Sequence, residues 1–120
     1  MTARDKFQVR QSGSIAAITT DQQLSAIIPL NEKWHIERVV FAHANDSRNW
    51  SGGFQLEWGS GGSFVFITGA YLTGATFHDK VDQTFIGDGA KRFRLTRQNL
   101  DPTTAKQMSV VIDGFKRIGD

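Results

Sequence analysis

The chain has 120 residues, a net charge of +2, no cysteine, and a composition that is 39% hydrophobic and 11% aromatic. A chain of this length folds as one domain and buries about two-thirds of its unfolded surface, without help from a metal or a disulfide. The absence of cysteine excludes disulfide frameworks, cysteine-based zinc sites and thiol nucleophiles. No signal-peptide core opens the sequence and no apolar run approaches about 18 residues, so we expect no membrane partner and folding in a reducing cytoplasm.

The first 30 residues begin with a polar stretch and continue into the small apolar segment SIAAITT. We predict an N-terminal arm and the first strand or strands in residues 1–30, and the body of a single domain in residues 31–120. Asp21 has the chemistry to cap one helical turn, which Pro29 would end. The arm is expected to order against a neighbouring subunit, so that deleting residues 1–12 weakens assembly and leaves the fold intact.

The segment Trp34–Glu37 alternates apolar and polar residues, which is typical of a half-buried strand. From Val39 to Phe41 the apolar side chains fall on the opposite parity, so the pattern shifts near Arg38. A β-bulge explains such a shift without ending the strand. The alternative is that residues 39–41 are covered on both faces.

Residues 51–66, SGGFQLEWGSGGSFVF, pose a choice between a phosphate-binding glycine loop and the turn of a β-hairpin. A phosphate loop needs a lysine and then a helix whose N-terminal amides face the anion. Here strand-prone residues follow the glycines and no lysine stands at the required place. Glycine and serine between two β-prone segments are what a tight turn requires, so we predict a hairpin.

Further strand signals follow a long polar stretch at residues 43–53 and lie around residues 84–86, 93–95 and 108–115. About eight strands separated by turn signals, without alternating helices, predict an all-β antiparallel β-sandwich of jelly-roll-like form. The predicted core consists of Phe54, Leu56, Trp58, Phe93, Leu95, Val110 and Ile112.

The three histidines, His35, His43 and His78, lack the close spacing that brings two imidazoles onto one metal ion. We therefore predict surface or loop histidines, no metal site and no cofactor. The chain also lacks a G-x-S-x-G nucleophile motif. A carboxylate pair across a sheet, Glu57 with Asp88 or Asp113, is the remaining enzymatic alternative, and we predict no catalytic residue and no enzyme.

Arg92 and Arg94 share the outer face of one predicted strand, in the densest basic cluster of the chain. Such a row suits a phosphate backbone or an acidic patch on a partner. The alternative is a solvated strand face that discourages edge-to-edge pairing. Nucleic acid is not an expected partner, because no aromatic stacking platform lies beside the arginines.

Three aromatic residues, Trp50, Tyr71 and Phe77, fall in or near predicted loops. Exposed aromatic side chains there could grip a sugar or a neighbouring subunit, or they could plug the ends of the sandwich. Together with Arg92 and Arg94 they are the candidate interface residues. A small β-sandwich with loop aromatics is also typical of carbohydrate-binding modules, so carbohydrate is the alternative partner.

From Trp34 to Phe115 the succession of strands and turns resembles the small β-sandwich proteins of tailed bacteriophage virions, namely head-decoration and accessory structural proteins. The similar segments are WHIERV, GFQLE before GSGG, FIGDG before RFRL, and the closing VVIDGF. The resemblance carries over no functional residue. It implies a non-enzymatic structural protein of the virion, made in the host cytoplasm, that forms a homo-oligomer such as a trimer and contacts other virion proteins.

Overall fold

The computed structural model describes residues 3–43 and 51–118, and that part of the chain contains β-strands and no helix. The strands are β1 (Ala3–Ile15), β2 (Thr19–Leu24), β3 (Glu32–His43), β4 (Gly52–Ser60), β5 (Ser63–Leu72), β6 (Thr76–Asp79), β7 (Gln83–Ile86), β8 (Arg92–Asn99) and β9 (Lys106–Ile118). The helical turn that Asp21 could cap does not form. That segment is strand β2, which pairs with β8 from Thr19 to Leu24.

The strands form two antiparallel sheets, a five-stranded sheet in the order β1-β9-β3-β6 and a four-stranded sheet in the order β2-β8-β4-β5. Strands β6 and β7 pair with successive parts of β3, residues 39–42 and 33–36, so together they occupy one position in the five-stranded sheet. Along the chain the strands alternate between the sheets except at the β4–β5 hairpin and between β6 and β7. This order is that of a jelly roll, and the predicted all-β sandwich is confirmed.

Strand β3 contains the β-bulge that the sequence predicts. Ile36 pairs with Gly114 and Arg38 pairs with Asp113, so Glu37 is the extra residue. Because the bulge restores the side-chain alternation, Ile36 and Val39 both point into the core and are fully buried.

The glycine-rich segment is the predicted hairpin, with Ser60 paired to Ser63 across a two-residue turn. Gly61 has a φ of +58°, a conformation that residues with a Cβ rarely adopt. Two-residue hairpin turns require a positive φ at the first turn position, which is the position that Gly61 occupies.

The hydrophobic core lies between the two sheets. Six of the seven predicted core residues are buried, and Trp58 is half-buried with its ring 4.7 Å from that of Phe93. The core also holds Ile15, Ile28, Ile36, Val39, Phe41, Phe85 and Met108. At about 1.5–3 kcal/mol for each buried large apolar side chain, these contacts dominate the stability of the sandwich.

The N-terminal residues form outer strands of both sheets. Strand β1 pairs with β9 along its whole length, from Ala3 to Ile15, and the Phe7 ring lies 4.8 Å from the Trp34 ring. Ile15 and Ile28 are buried in the core. The described part of residues 1–30 therefore contributes to the same core as the rest of the domain.

Candidate functional site

The outer surface of the four-stranded sheet brings together three of the predicted interface residues. Strand β8 alternates strictly, with Phe93, Leu95, Arg97 and Asn99 buried on its inner side. Arg92 and Arg94 are therefore on the outer side. Tyr71 of β5 pairs with Gly53 of β4, which in turn pairs with Gln98 of β8, so Tyr71 lies on that same outer side. We call this surface the aromatic face, and it comprises Leu24, Gln55, Glu57, Phe64, Phe66, Tyr71, Arg92, Arg94, Thr96 and Gln98.

A bulge in the edge strand β5 creates the row of aromatic residues. Leu56 pairs with Thr68 and Glu57 pairs with Phe66, so Ile67 is the extra residue. The bulge reverses the parity of the strand. Phe64 and Phe66 before it, and Tyr71 after it, consequently share the outer side of one strand. Aromatic side chains therefore do lie on the same face as Arg92 and Arg94, and the expectation that none would lie beside the arginines is wrong.

At the hairpin end of the face, arginine and aromatic side chains pack together. The Arg94 Nε donates to Glu57 Oε1 at 2.9 Å, and the Arg94 guanidinium carbon lies 4.2 Å from the centre of the Phe64 ring. Within residues 3–43 and 51–118, Arg92 has no ion pair. Beside it, Leu24 and Ile27 are 53% and 41% exposed. These side chains line a shallow depression, which we call the arginine patch (Leu24, Ile27, Phe64, Arg92 and Arg94).

At the opposite end of the face, Phe66 and Tyr71 flank a groove of about 260 Å³. Gly53 and Gly69 form part of its floor. The polar side chains of the groove are neutral ones, from Gln55, Thr96 and Gln98. We call this the Tyr71 groove.

The remaining two candidate residues lie elsewhere. Phe77 is on the inner side of the five-stranded sheet, where it pairs with Phe41 and the two rings stack with centres 6.3 Å apart. Phe77 is thus a strand residue that is partly buried against the core, and not a loop residue. Trp50 lies outside the described residues.

Sequence reasoning did not find Phe64, Phe66, Leu24 or Ile27. In the segment FVFI the sequence does not show which side chains face outward, because the bulge at Ile67 changes the alternation within the strand. Glycine inside a strand marks a bulge or a close approach of other groups, so Gly53 and Gly69 were the available signal.

His43 is one of several polar or charged residues that are buried, together with Arg97, Asn99, Asp101 and Lys106. Its burial corrects the prediction that each histidine lies on the surface or in a loop. His43 ends strand β3 and is 3% exposed. Its Nδ1 accepts a hydrogen bond from the Gly74 backbone N–H at 3.0 Å. Burial lowers the pKa of His43, and the positive charge of Lys106 lowers it further.

The carboxylates considered for catalysis do not face one another. Glu57 pairs with Arg94 on the aromatic face, whereas Asp113 accepts hydrogen bonds from Gln8 and Arg38 on the outer side of the other sheet. Asp88 accepts hydrogen bonds from backbone N–H groups within its own loop, which lower its pKa.

Among the described residues, no group of three or more metal-ligating side chains is placed to hold a metal ion. In the same residues, no helix has the length and apolar character needed to cross a membrane.

Comparison with known proteins finds structural likeness at low scores only. No protein-family model matches the sequence, and no curated protein matches it. A chain in the structure of infectious bursal disease virus, Gx strain, aligns with 98% of this chain at 10% identity and a TM-score of 0.34. A chain in the structure of the Gt strain aligns with 98% of this chain at 12% identity and a TM-score of 0.34. The crystal structure of PirA aligns over 92% of both chains at 11% identity and a TM-score of 0.35.

This chain spans 31% of the length of each of the two viral chains. Similarities at these scores carry no conclusion about function. The function of this chain has to be inferred from its own surface, above all from the aromatic face.

Proposed function

We propose that this protein is a non-enzymatic structural protein that associates through the arginine patch with further copies of itself. Its proposed setting is a virus particle, as a bacteriophage accessory or capsid-decoration protein in contact with other virion proteins. The observation that carries the proposal is an exposed apolar pair, Leu24 and Ile27, beside an arginine without an ion pair in the described part of the chain.

The composition of the arginine patch is that of an interface centre. Protein interfaces are enriched in aromatic residues and arginine, and depleted in lysine, aspartate and glutamate. The side chains described around this depression include Phe64, Arg92 and Arg94 and no acid or lysine. Glu57, which lies beside the patch, is already paired with Arg94.

The exposed apolar area provides the driving force for association. Burying such area is favourable by about 25 cal/mol for each Å² removed from water. An interface of standard size buries about 800 Å² on each partner. In a closed ring each copy takes part in two contacts, one through its arginine patch and one through the different surface that receives the patch of the next copy, so modest contacts add up through avidity. A homo-oligomer such as a trimer meets these requirements.

The virus-particle setting is supported by analogy of fold. Jelly rolls occur in viral capsid domains, and also in lectins and cupins, so the fold alone does not determine the function. The position of the gene tests this setting. Neighbouring capsid or tail genes would support it, and a metabolic operon would oppose it.

Light scattering tests the association directly. We expect the wild-type chain to have a mass of at least twice the 13.3 kDa of one chain. The double variant Ile27→Asp/Arg92→Glu places negative charge on the patch without touching the core, and we expect it to be monomeric. A wild-type chain that is monomeric up to millimolar concentration, or an unchanged mass for the variant, would refute the proposal.

A matched control makes the charge reversal specific to the patch. Arg10→Glu changes an exposed arginine on strand β1, which belongs to the five-stranded sheet. We expect this variant to keep the wild-type mass. Loss of association in both variants would indicate a general effect of charge and would count against the patch.

A further inference from the structure

We propose that the Tyr71 groove binds an uncharged pyranose sugar, stacked on the rings of Tyr71 and Phe66. This activity goes beyond self-association and uses the opposite end of the aromatic face. A pyranose ring has apolar C–H faces and a rim of hydroxyl groups. It therefore suits a site with aromatic surfaces and a few converging polar groups.

The two rings lie against the sheet because their neighbours have no side chain. A Cβ built on Gly53 would lie 2.9 Å from Tyr71 Cε1, and one built on Gly69 would lie 3.1 Å from Phe66 Cε1. Each ring thus covers a glycine. Covering a strand glycine stabilises a sheet and uses one face of the ring. Tyr71 nevertheless remains 74% exposed and Phe66 56% exposed, so both rings offer surface to a ligand.

Polar side chains that can hydrogen-bond a ligand lie beside the two rings. Over residues 3–43 and 51–118, the side-chain amides of Gln55 and Gln98 form no hydrogen bond within the protein. Each amide offers an acceptor oxygen and two donor hydrogens. Thr96 adds a hydroxyl, which accepts from Gln22 Nε2 at 3.5 Å. Sugar hydroxyls both donate and accept, so they match every one of these groups.

The chemistry of the lining selects a sugar over the other ligands of aromatic grooves. The described lining carries no charged side chain, which favours an uncharged ligand over a nucleotide or an acidic glycan. Proline-rich peptides also dock on aromatic grooves. Proline lacks a backbone N–H, so the proline residues of such a peptide could accept from the amides of Gln55 and Gln98 but could not donate to their oxygens.

A printed glycan array, probed with the full chain, tests the proposal. We expect the wild-type chain to bind one class of neutral glycan, and Tyr71→Ala to lower the apparent affinity for the same spots at least tenfold. Gly53→Ala keeps every groove side chain but displaces the Tyr71 ring, so it should also weaken binding. Val65→Ala, at an exposed residue of the same strand outside the groove, should bind as the wild type does.

Three outcomes would overturn the proposal. The first is that the wild-type chain binds no glycan, and the second is that the Tyr71→Ala variant binds glycans as tightly as the wild type does. The third is that the wild-type chain binds proline-rich peptides on a peptide array and binds no glycan. Circular dichroism of each variant shows that the fold is kept. Light scattering on the same samples separates this site from self-association, because Tyr71→Ala should keep the oligomer mass whether or not sugar binds.

Discussion

The environment of the His43 side chain disfavours its protonation. Its Nδ1 accepts from the Gly74 N–H, so a proton added at Nδ1 would remove that hydrogen bond. Lys106 is buried nearby with its Nζ 3.6 Å from Asp101 Oδ2. The buried Arg97 donates to the carbonyl oxygen of Met108, the residue paired with His43 across β3 and β9. A charged imidazole would therefore join two buried cations, Lys106, which is paired with Asp101, and Arg97, which is paired with Asp21.

This arrangement predicts acid sensitivity with a definite sign. The folded-state pKa of His43 lies below its ordinary value of 6.5, so the unfolded state binds the proton more tightly. The contribution to the free energy of unfolding is complete above pH 6.5 and is lost as the pH falls from there through the folded-state pKa. Urea unfolding at pH 8 and pH 5 should show lower stability at pH 5.

The variant His43→Gln keeps a hydrogen-bond acceptor and cannot take up a proton in this range. We expect the difference in stability between pH 8 and pH 5 to shrink in this variant. Asp101 and Asp113 do not confuse the comparison, because their pKa values are lowered and they remain ionised at pH 5. An equal pH dependence in variant and wild type would show that His43 is not the group responsible.

At the scale of elements, the β4–β5 hairpin depends on Gly59 more than on the turn glycine Gly62. A Cβ on Gly59 would clash with the Ser63 carbonyl oxygen and lie 2.8 Å from Phe64 Cα, so the backbone itself would have to move. A Cβ on Gly62 meets nothing within 4 Å. We expect Gly59→Ala to lower the free energy of unfolding by about 1–3 kcal/mol.

Gly62→Ala is the matched control, with an expected change within about 0.5 kcal/mol. Chemical denaturation of both variants measures the difference. Equal stability of the two would mean that the hairpin does not bring β4 and β5 as close together as described.

The N-terminal strand leads to a second expectation at this scale, and it replaces the one drawn from the sequence. Deleting residues 1–12 would remove most of β1, uncover the edge of β9 and expose Trp34, which packs against Phe7. We expect a large fall in the thermal midpoint on circular dichroism. An unchanged midpoint together with a reduced oligomer mass would restore the role of a separate arm.

The elements show how far the sequence determines this structure. Local patterns were sufficient for the bulge near Arg38, the glycine hairpin and the alternation of β8, because each depends on neighbours along the chain. The Tyr71 groove depends on β4 lying between β5 and β8, which joins Gly53, Tyr71 and Gln98 from three separate segments. His43 was misplaced for the same reason, since its burial comes from pairing with distant Met108.

At the scale of the whole molecule, the two outer surfaces differ in charge. The outer side and the loops of the five-stranded sheet carry many charges of both signs, with Lys6, Arg10, Lys33, Lys80 and Arg117 among the cations and Glu37, Asp82 and Asp113 among the acids. The aromatic face has two arginines, one of them paired with Glu57, and no lysine among the residues that define it. Charged side chains are depleted at the centre of protein interfaces, with arginine the exception, so we expect copies to meet through the arginine patch at one end of the aromatic face.

Nuclear magnetic resonance of the labelled chain over a dilution series tests this central claim most directly, since it reports on each backbone amide. The account predicts that amide signals of Leu24, Ile27, Phe64 and Arg92 shift with concentration, while those of Arg10 and Lys80 stay in place. Signals that do not depend on concentration, or shifts confined to the outer side of the five-stranded sheet, would contradict it.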